Sequence, residues 1–130
     1  MSDKVLVDTS VWIGFFRHAD QAISNKIKLL LRNGRPVYTG LIATEMIRGA
    51  KSKKELDALD ELFNSIEYIE MKEDYFRSAG DLGRLLLHKG ITIGTVDLLI
   101  AQIAIKNNVS LFTLDTHFTT LSRHTTLQLY

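Results

Sequence analysis

The sequence contains no cysteine and a single proline. The absence of thiols excludes a disulfide framework, a thiolate zinc site and a cysteine nucleophile. Long hydrophobic runs are also missing, because no apolar stretch approaches the ~20 residues that span a bilayer, and residues 1–7 lack a signal-peptide pattern. We therefore expect a soluble, cytoplasmic protein without a membrane segment.

The composition is that of an ordinary globular protein. Apolar residues make up 45% and charged residues 24% of the 130-residue chain, which excludes disordered, collagen-like and coiled-coil proteins. The length lies below the ~150 residues that serve as a guide to one domain. We expect a single domain over residues 1–130.

The net charge of +1 hides a separation of charge along the chain. Residues 17–54 carry nine basic and two acidic side chains, whereas residues 55–83 carry two basic and nine acidic ones. One interpretation is a basic surface that meets nucleic-acid phosphates, although the isoelectric point near 8.0 lies below the ~9 typical of nucleic-acid binders. The other is a set of solvated helix faces, and charge alone leaves both open.

Hydrophobic periodicity predicts alternating strands and helices. Short apolar runs predict about five strands, at residues 4–8, 36–39, 66–71, 109–114 and 127–130. Apolar residues at helical spacing predict helices over residues 20–33, 41–50, 73–88 and 95–107. Two further helix starts are expected, one at Thr9 and Ser10 and one at Ser52, which forms a capping-box pattern with Glu55.

This alternation favours an α/β fold in which helices cover both faces of a mainly parallel central sheet. In such sheets, ligands bind beyond the carboxyl ends of the strands, at the point where the chain order reverses. Polar residues that follow the strands are therefore the candidates for a functional site.

Four acidic residues stand in otherwise apolar or strand-end surroundings. Asp8 and Asp115 end two apolar runs, Asp97 lies in the first turn of a predicted helix, and Glu45 lies between apolar residues of another. Carboxylates in such places repel one another and need a shared positive charge, which a divalent cation supplies. With no cysteine and no histidines at metal-ligand spacing, oxygen ligation favours Mg²⁺, with Mn²⁺ as a substitute, and phosphoryl transfer as the chemistry.

Each acid also has a purely structural interpretation. Asp97 could complement a helix dipole, Asp115 could cap a helix, and Glu45 could lie on a solvent-facing surface. Asp8 is the hardest to explain in this way, because a core strand rarely ends on an acid for packing reasons. The four residues together are more specific than any one of them.

The sequence blocks around these acids resemble those of the PIN-domain nucleases. The blocks are VDTSVW at 7–12, TEMIRG at 44–49, TVDLLIA at 95–101 and LFTLDTHF at 111–118. They occur in the family's order across nearly the whole chain, and the short single-domain form is similar to the bacterial VapC-type toxins of toxin–antitoxin pairs.

The resemblance implies a three-layer PIN-like domain and a Mg²⁺-dependent endoribonuclease that cleaves structured RNA, such as tRNA or rRNA, and restrains translation. It implies that Asp8 and Asp97 are the principal metal ligands and that Asp115 and Glu45 complete the acidic cluster. Ser10 and Thr113 would support the ligands through their hydroxyl groups. A cognate VapB-type antitoxin as partner and a homodimer are also expected. Attack by water would leave a 5′-phosphate and a 3′-hydroxyl.

Basic and aromatic residues near these blocks are candidates for binding. The candidates for RNA phosphate contacts are Arg17, Arg48, Lys51, Lys53 and Lys54, with solvated loop charge as the alternative. Trp12, Phe15 and Phe16 could stack on bases or receive an antitoxin segment, but helix packing on the sheet explains their spacing equally simply. Of the four histidines, His117 near Asp115 is the one that warrants a test.

Two other function classes have similar sequence features. A phosphate-receiver domain has this length and alternation, but it needs an acidic pair on the first strand and a late lysine, where this chain has Asp8 alone and Asp115. A non-catalytic PIN-like module that binds RNA or protein would keep the fold and lose acids. All four acids are present here.

Overall fold

A four-stranded parallel sheet forms the centre of the molecule. The computed structural model describes residues 2–130. The strands are β1 (Val5–Val7), β2 (Pro36–Tyr38), β3 (Glu67–Tyr68) and β4 (Ser110–Phe112), in the spatial order β3-β2-β1-β4. Val5 of β1 is in register with Pro36 of β2 on one side and with Ser110 of β4 on the other. The chain order therefore reverses at β1, so the carboxyl end of β1 is the expected place for a ligand.

Seven helices connect and cover the strands. They are α1 (Thr9–Phe16), α2 (Gln21–Arg32), α3 (Gly40–Gly49), α4 (Lys53–Ser65), α5 (Glu73–His88), α6 (Thr95–Lys106) and α7 (Thr116–His124). α1 to α4 contact one another in one group, and α5 to α7 form another. Since crossovers between parallel strands are almost always right-handed, the strand order implies that these groups lie on opposite faces of the sheet. The α/β class and the covered parallel sheet predicted from the sequence are confirmed.

The number of strands is smaller than predicted. Residues 127–130 form no fifth strand: Leu129 makes a single bridge to Leu111, where the Tyr130 amide donates to the Leu111 carbonyl at 2.8 Å. The predicted strand at residues 66–71 shortens to two residues. α7 has no counterpart among the predicted elements, because threonines, which are weak helix formers, interrupt its apolar pattern.

Local signals fix several helix ends. Asp20 caps α2 by accepting bonds from the amides of Ala22 and Ile23. The capping box predicted for α4 is confirmed in a shifted form: the Ser52 hydroxyl accepts from the Glu55 amide at 3.1 Å, while the Glu55 carboxylate accepts from the Lys51 amide. These caps satisfy amides that a helix start leaves without partners.

The core lies on both faces of the sheet. All three residues of β1 are fully buried, as are Trp12 of α1 and Phe118 of α7. α5 and α6 approach each other closely at Gly83, where an added Cβ would lie 2.8 Å from a methyl carbon of Leu98. No helix within residues 2–130 is both long and apolar enough to cross a membrane.

Candidate metal centre

The predicted acidic residues meet at the carboxyl edge of the sheet. Asp8 follows β1 directly and is 6% exposed, and Asp115 follows β4 and begins α7. Asp97 lies in the first turn of α6, and Glu45 lies in the middle of α3. Asp8, Glu45 and Asp115 follow β1, β2 and β4, whose parallel register aligns the carboxyl ends, whereas Asp97 is positioned by α6.

Two hydroxyl groups hold the Asp8 side chain. Ser10 Oγ and Thr113 Oγ1 both donate to Asp8 Oδ2, at 2.8 and 2.9 Å. Each hydroxyl in turn accepts a backbone amide, from Leu114 and Asp115 respectively, both at 3.0 Å. Because the amides occupy the hydroxyl lone pairs, both hydroxyl hydrogens point to one oxygen of Asp8, and its Oδ1 receives no hydrogen bond from residues 2–130.

Asp8 is buried without a helix-capping bond or a basic partner within residues 2–130. It precedes α1, yet its side chain makes no capping hydrogen bond to that helix. Burial of a carboxylate that neither caps a helix nor pairs with a basic group is unfavourable. The hydrogen bonds from Ser10 and Thr113 offset part of this cost.

Glu45 faces α1 across the edge of the site. Its Oε1 accepts a hydrogen bond from Thr9 Oγ1 at 3.1 Å. Burial raises the pKa of the Glu45 carboxyl, the Thr9 bond opposes this, and the charges of Asp8 and Asp97 raise the pKa further. Glu45 is therefore part of the same electrostatic cluster rather than an isolated surface acid.

Asp97, Asp115 and His117 form the most compact part of the site. His117 Nδ1 lies 3.1 Å from Asp97 Oδ2 and 3.6 Å from Asp115 Oδ1. Burial raises the pKa of Asp97, with Asp115 and Asp8 adding to the effect and the His117 bond opposing it. The hydrogen bond to Asp97 and the charge of Asp115 raise the pKa of the His117 imidazole.

Helix starts reduce the repulsion among these acids. Asp8, Asp97 and Asp115 all lie at or within the first turn of a helix, where the dipole favours negative charge. Asp115 also caps α7 by accepting the His117 amide at 2.9 Å. The structural interpretations of Asp97 and Asp115 are thus correct as local roles, and they coexist with membership of the cluster.

The donor set fits a divalent cation. Within residues 2–130, Asp97, Asp115 and His117 each offer a ligand atom, and these atoms lie within 4.8 Å of one another. Asp8 and Glu45 lie outside this compact set but are coupled to it electrostatically. His117, which sequence spacing did not mark as a metal ligand, joins this set because α7 places its ring near Asp97.

A groove of about 390 Å³ opens beside Glu45, between α1, α3 and α4. Arg17 and Lys54 line it, together with apolar residues that include Phe16. The other basic candidates, Arg48, Lys51 and Lys53, are exposed on the same stretch of chain. Trp12 is fully buried and contacts the rings of Phe15 and Phe16, so it packs in the core and is not available for stacking on bases.

Comparisons with known proteins agree with this fold. The PIN domain family model matches residues 5–123. Ribonuclease VapC11 of Mycobacterium tuberculosis is 28% identical over 128 residues, which cover 95% of this chain and 96% of that protein. Ribonuclease VapC2 of Rickettsia felis is 30% identical over 112 residues, with 83% and 84% covered.

The fold is also found in solved structures. VapBC2 from Rickettsia felis, bound to a DNA fragment from its promoter, contains a chain that superposes with a TM-score of 0.79 at 24% identity, over 97% of this chain and 96% of that one. These matches exclude the phosphate-receiver alternative, whose acidic pair the sequence also lacks. The chain belongs to the PIN domain family and, within it, to the VapC ribonucleases.

Proposed function

We propose that the protein is the toxin of a toxin–antitoxin pair and acts as a metal-dependent endoribonuclease. The observation that carries the proposal is the meeting of Asp8, Glu45, Asp97 and Asp115 at the carboxyl edge of the sheet, three of them at helix starts. The relatives named ribonucleases support the same activity. The proposed unit is a single PIN domain over residues 1–130, working in the cytoplasm.

Asp8, Asp97 and Asp115 would hold Mg²⁺ or Mn²⁺, and Glu45 would complete the acidic cluster. A divalent cation bound there would activate water and neutralise charge on the scissile phosphate. Ser10 and Thr113 keep one oxygen of Asp8 engaged and so direct its other oxygen toward the ligand. Glu45, which is coupled electrostatically to Asp8 and Asp97, would be near enough to accept a proton from an attacking water.

The substrate proposed is structured RNA, such as tRNA or rRNA, cleaved to leave a 5′-phosphate and a 3′-hydroxyl. Arg17 and Lys54 lie in the groove that leads to Glu45, and they would bind phosphates on either side of the scissile bond. Arg48, Lys51 and Lys53 would extend this contact along the exposed surface. The charges fix the position of the RNA but carry no base specificity.

The partner proposed is a VapB-type antitoxin, since solved structures with this fold include VapBC assemblies from several bacteria.

We also propose a homodimer. Exposed apolar side chains of α5, among them Phe76 and Leu87, offer surface for such an interface. Light scattering should give about twice the 14.7 kDa chain mass.

An RNA-cleavage assay tests the proposed activity. Wild type should cleave structured RNA with Mg²⁺ or Mn²⁺ and lose cleavage in EDTA. Asp8→Asn should lose activity by a factor on the order of 100 or more, yet stay folded, because the asparagine carbonyl still accepts the two hydroxyl bonds. Asp81→Asn, an exposed acid of α5, is the matched control and should cleave normally.

Full activity in EDTA would contradict metal dependence. A folded wild type that binds RNA but cleaves none with either ion would favour the alternative function, a non-catalytic PIN-like module. A large fall in melting temperature for Asp8→Asn would instead assign Asp8 a structural role.

A further inference from the structure

His117 occupies an unusual position beside the acidic cluster. Its side chain is 58% exposed, yet Nδ1 lies within 3.6 Å of carboxylate oxygens from two different helix starts, those of α6 and α7. Its backbone amide also donates to Asp115 Oδ1 at 2.9 Å, which anchors this residue at the start of α7. The ring itself contacts the cluster through Nδ1, 3.1 Å from Asp97 Oδ2.

A surface ion pair is the simpler explanation to weigh first. An exposed imidazole beside carboxylates stabilises a protein little, since water screens the attraction. One such pair would need one carboxylate, whereas Nδ1 is shared between Asp97 and Asp115. In the metal-free protein, attraction to both carboxylates is enough to hold the ring there, so the arrangement has to be tested with an ion present.

The spacing of the three donor atoms is that of ligands around one ion. Ligands at right angles, each about 2.1 Å from an octahedral cation, lie about 3.0 Å from one another. The nitrogen–oxygen distances here are 3.1 and 3.6 Å, and all three donor atoms fall within 4.8 Å of one another. The side chains need only small adjustments to converge on a common ion.

We propose that His117 supplies an imidazole nitrogen to the cation site of Asp97 and Asp115 and shifts its preference from Mg²⁺ toward first-row transition metal ions such as Mn²⁺ and Co²⁺. This inference rests on the proposed function, which supplies the metal site. It adds which class of ion the site prefers. Mg²⁺ prefers oxygen and water ligands, whereas an imidazole nitrogen strengthens the binding of transition metal ions.

The chain contains matched controls for this role. His124 ends the same helix, α7, and is exposed, so His124→Ala changes a histidine of α7 without touching the cluster. His117→Gln keeps an amide that can hydrogen-bond to Asp97 but removes the imidazole nitrogen. The two variants together separate a ligand from a hydrogen-bonding group.

Direct metal binding to the metal-free full chain is the measurement. Calorimetry with Mn²⁺ alone and Mg²⁺ alone gives affinities, and the visible absorption of bound Co²⁺ reports its ligands. Wild type and His124→Ala should bind Mn²⁺ at least about tenfold more tightly than Mg²⁺. His117→Ala and His117→Gln should lose about tenfold or more in Mn²⁺ affinity, change little toward Mg²⁺, and alter the Co²⁺ spectrum.

Unchanged Mn²⁺ affinity in His117→Gln, or an equal loss for both ions in the two variants, would overturn the proposal. Failure of the proposed function gives a different result, namely ion binding with this preference but no cleavage of RNA. Metal-dependent cleavage with an unchanged ion preference in the His117 variants would refute this inference alone.

Discussion

The ionised forms of Glu45 and Asp97 in the acidic cluster are unfavourable in the absence of a cation. The pKa of Glu45 is raised above its ordinary value of 4.5 by burial and by Asp8 and Asp97. A folded-state pKa above the unfolded one means that this group's contribution to stability is complete below pH 4.5 and is lost as the pH rises through the folded-state pKa.

Glu45→Gln should therefore stabilise the metal-free protein in a pH-dependent way. In EDTA, the melting temperature of the variant relative to wild type should rise between about pH 4 and pH 7, by a few degrees because the half-exposed group is screened. Glutamine keeps an acceptor for Thr9. Thermal melts across this pH range, with the exposed Glu61→Gln as control, make the measurement. A constant difference between Glu45→Gln and wild type at every pH would contradict the electrostatic explanation.

Residue types at strand ends were enough to select Asp8 and Asp115, because parallel register brings the carboxyl ends of strands together. Asp97 was selected from the first turn of a predicted helix, and the resemblance added Ser10 and Thr113. The contact of His117 with Asp97 could not be predicted, because it depends on α7. Threonines interrupt the apolar pattern of this helix, so the sequence gives little sign of it. The signal that was available is Asp115 itself, a good helix cap two residues before His117.

Among the elements, the packing of α5 on α6 positions Asp97. Leu98 is the neighbour of Asp97 on α6 and packs against the backbone of α5 at Gly83. The predicted bounds of α5, residues 73–88, are confirmed, but its close approach to α6 was not predicted. Helical spacing identifies which face of a helix is apolar, whereas the distance between two helices depends on side chains far apart in sequence.

Gly83→Ala should lower the stability of the protein relative to Gly80→Ala. Both substitutions replace a glycine within α5, which favours the helix by roughly 0.5–1 kcal/mol, but only the Cβ at Gly83 meets a neighbour, at 2.8 Å from Leu98. Overpacking of this kind costs about 1–3 kcal/mol. Denaturant unfolding of the two variants gives the difference, and equal stabilisation by both would show that Leu98 moves aside freely.

For the molecule as a whole, the separation of charge along the chain becomes a separation between elements. The basic segment contributes α2, β2 and α3, and the acidic one contributes most of α4 and the first part of α5. Arg17 and Lys54 lie together in the groove beside Glu45. Two members of the basic segment thus lie beside Glu45, whereas Lys26 and Arg35 of the same segment lie near Phe112 and Tyr130 instead.

Arg17→Ala and Lys54→Ala should each weaken RNA binding and reduce its salt dependence. In an Asp8→Asn background that prevents cleavage, removing one phosphate-binding side chain should lower the slope of log affinity against log salt by about 0.7–0.9. Lys106→Ala, at the exposed end of α6, is the control and should leave the slope unchanged. Titrations at several salt concentrations test this, and equal slopes for all four proteins would assign RNA binding to another surface.

Trp12 is an intrinsic fluorophore close to Asp8. It is the chain's single tryptophan, it is fully buried, and its indole nitrogen has no hydrogen-bond partner within residues 2–130. Its backbone amide donates to the carbonyl of Asp8 at 3.2 Å. The emission of this single buried indole therefore originates one helical turn from Asp8, so its fluorescence can follow the start of α1 without an attached dye.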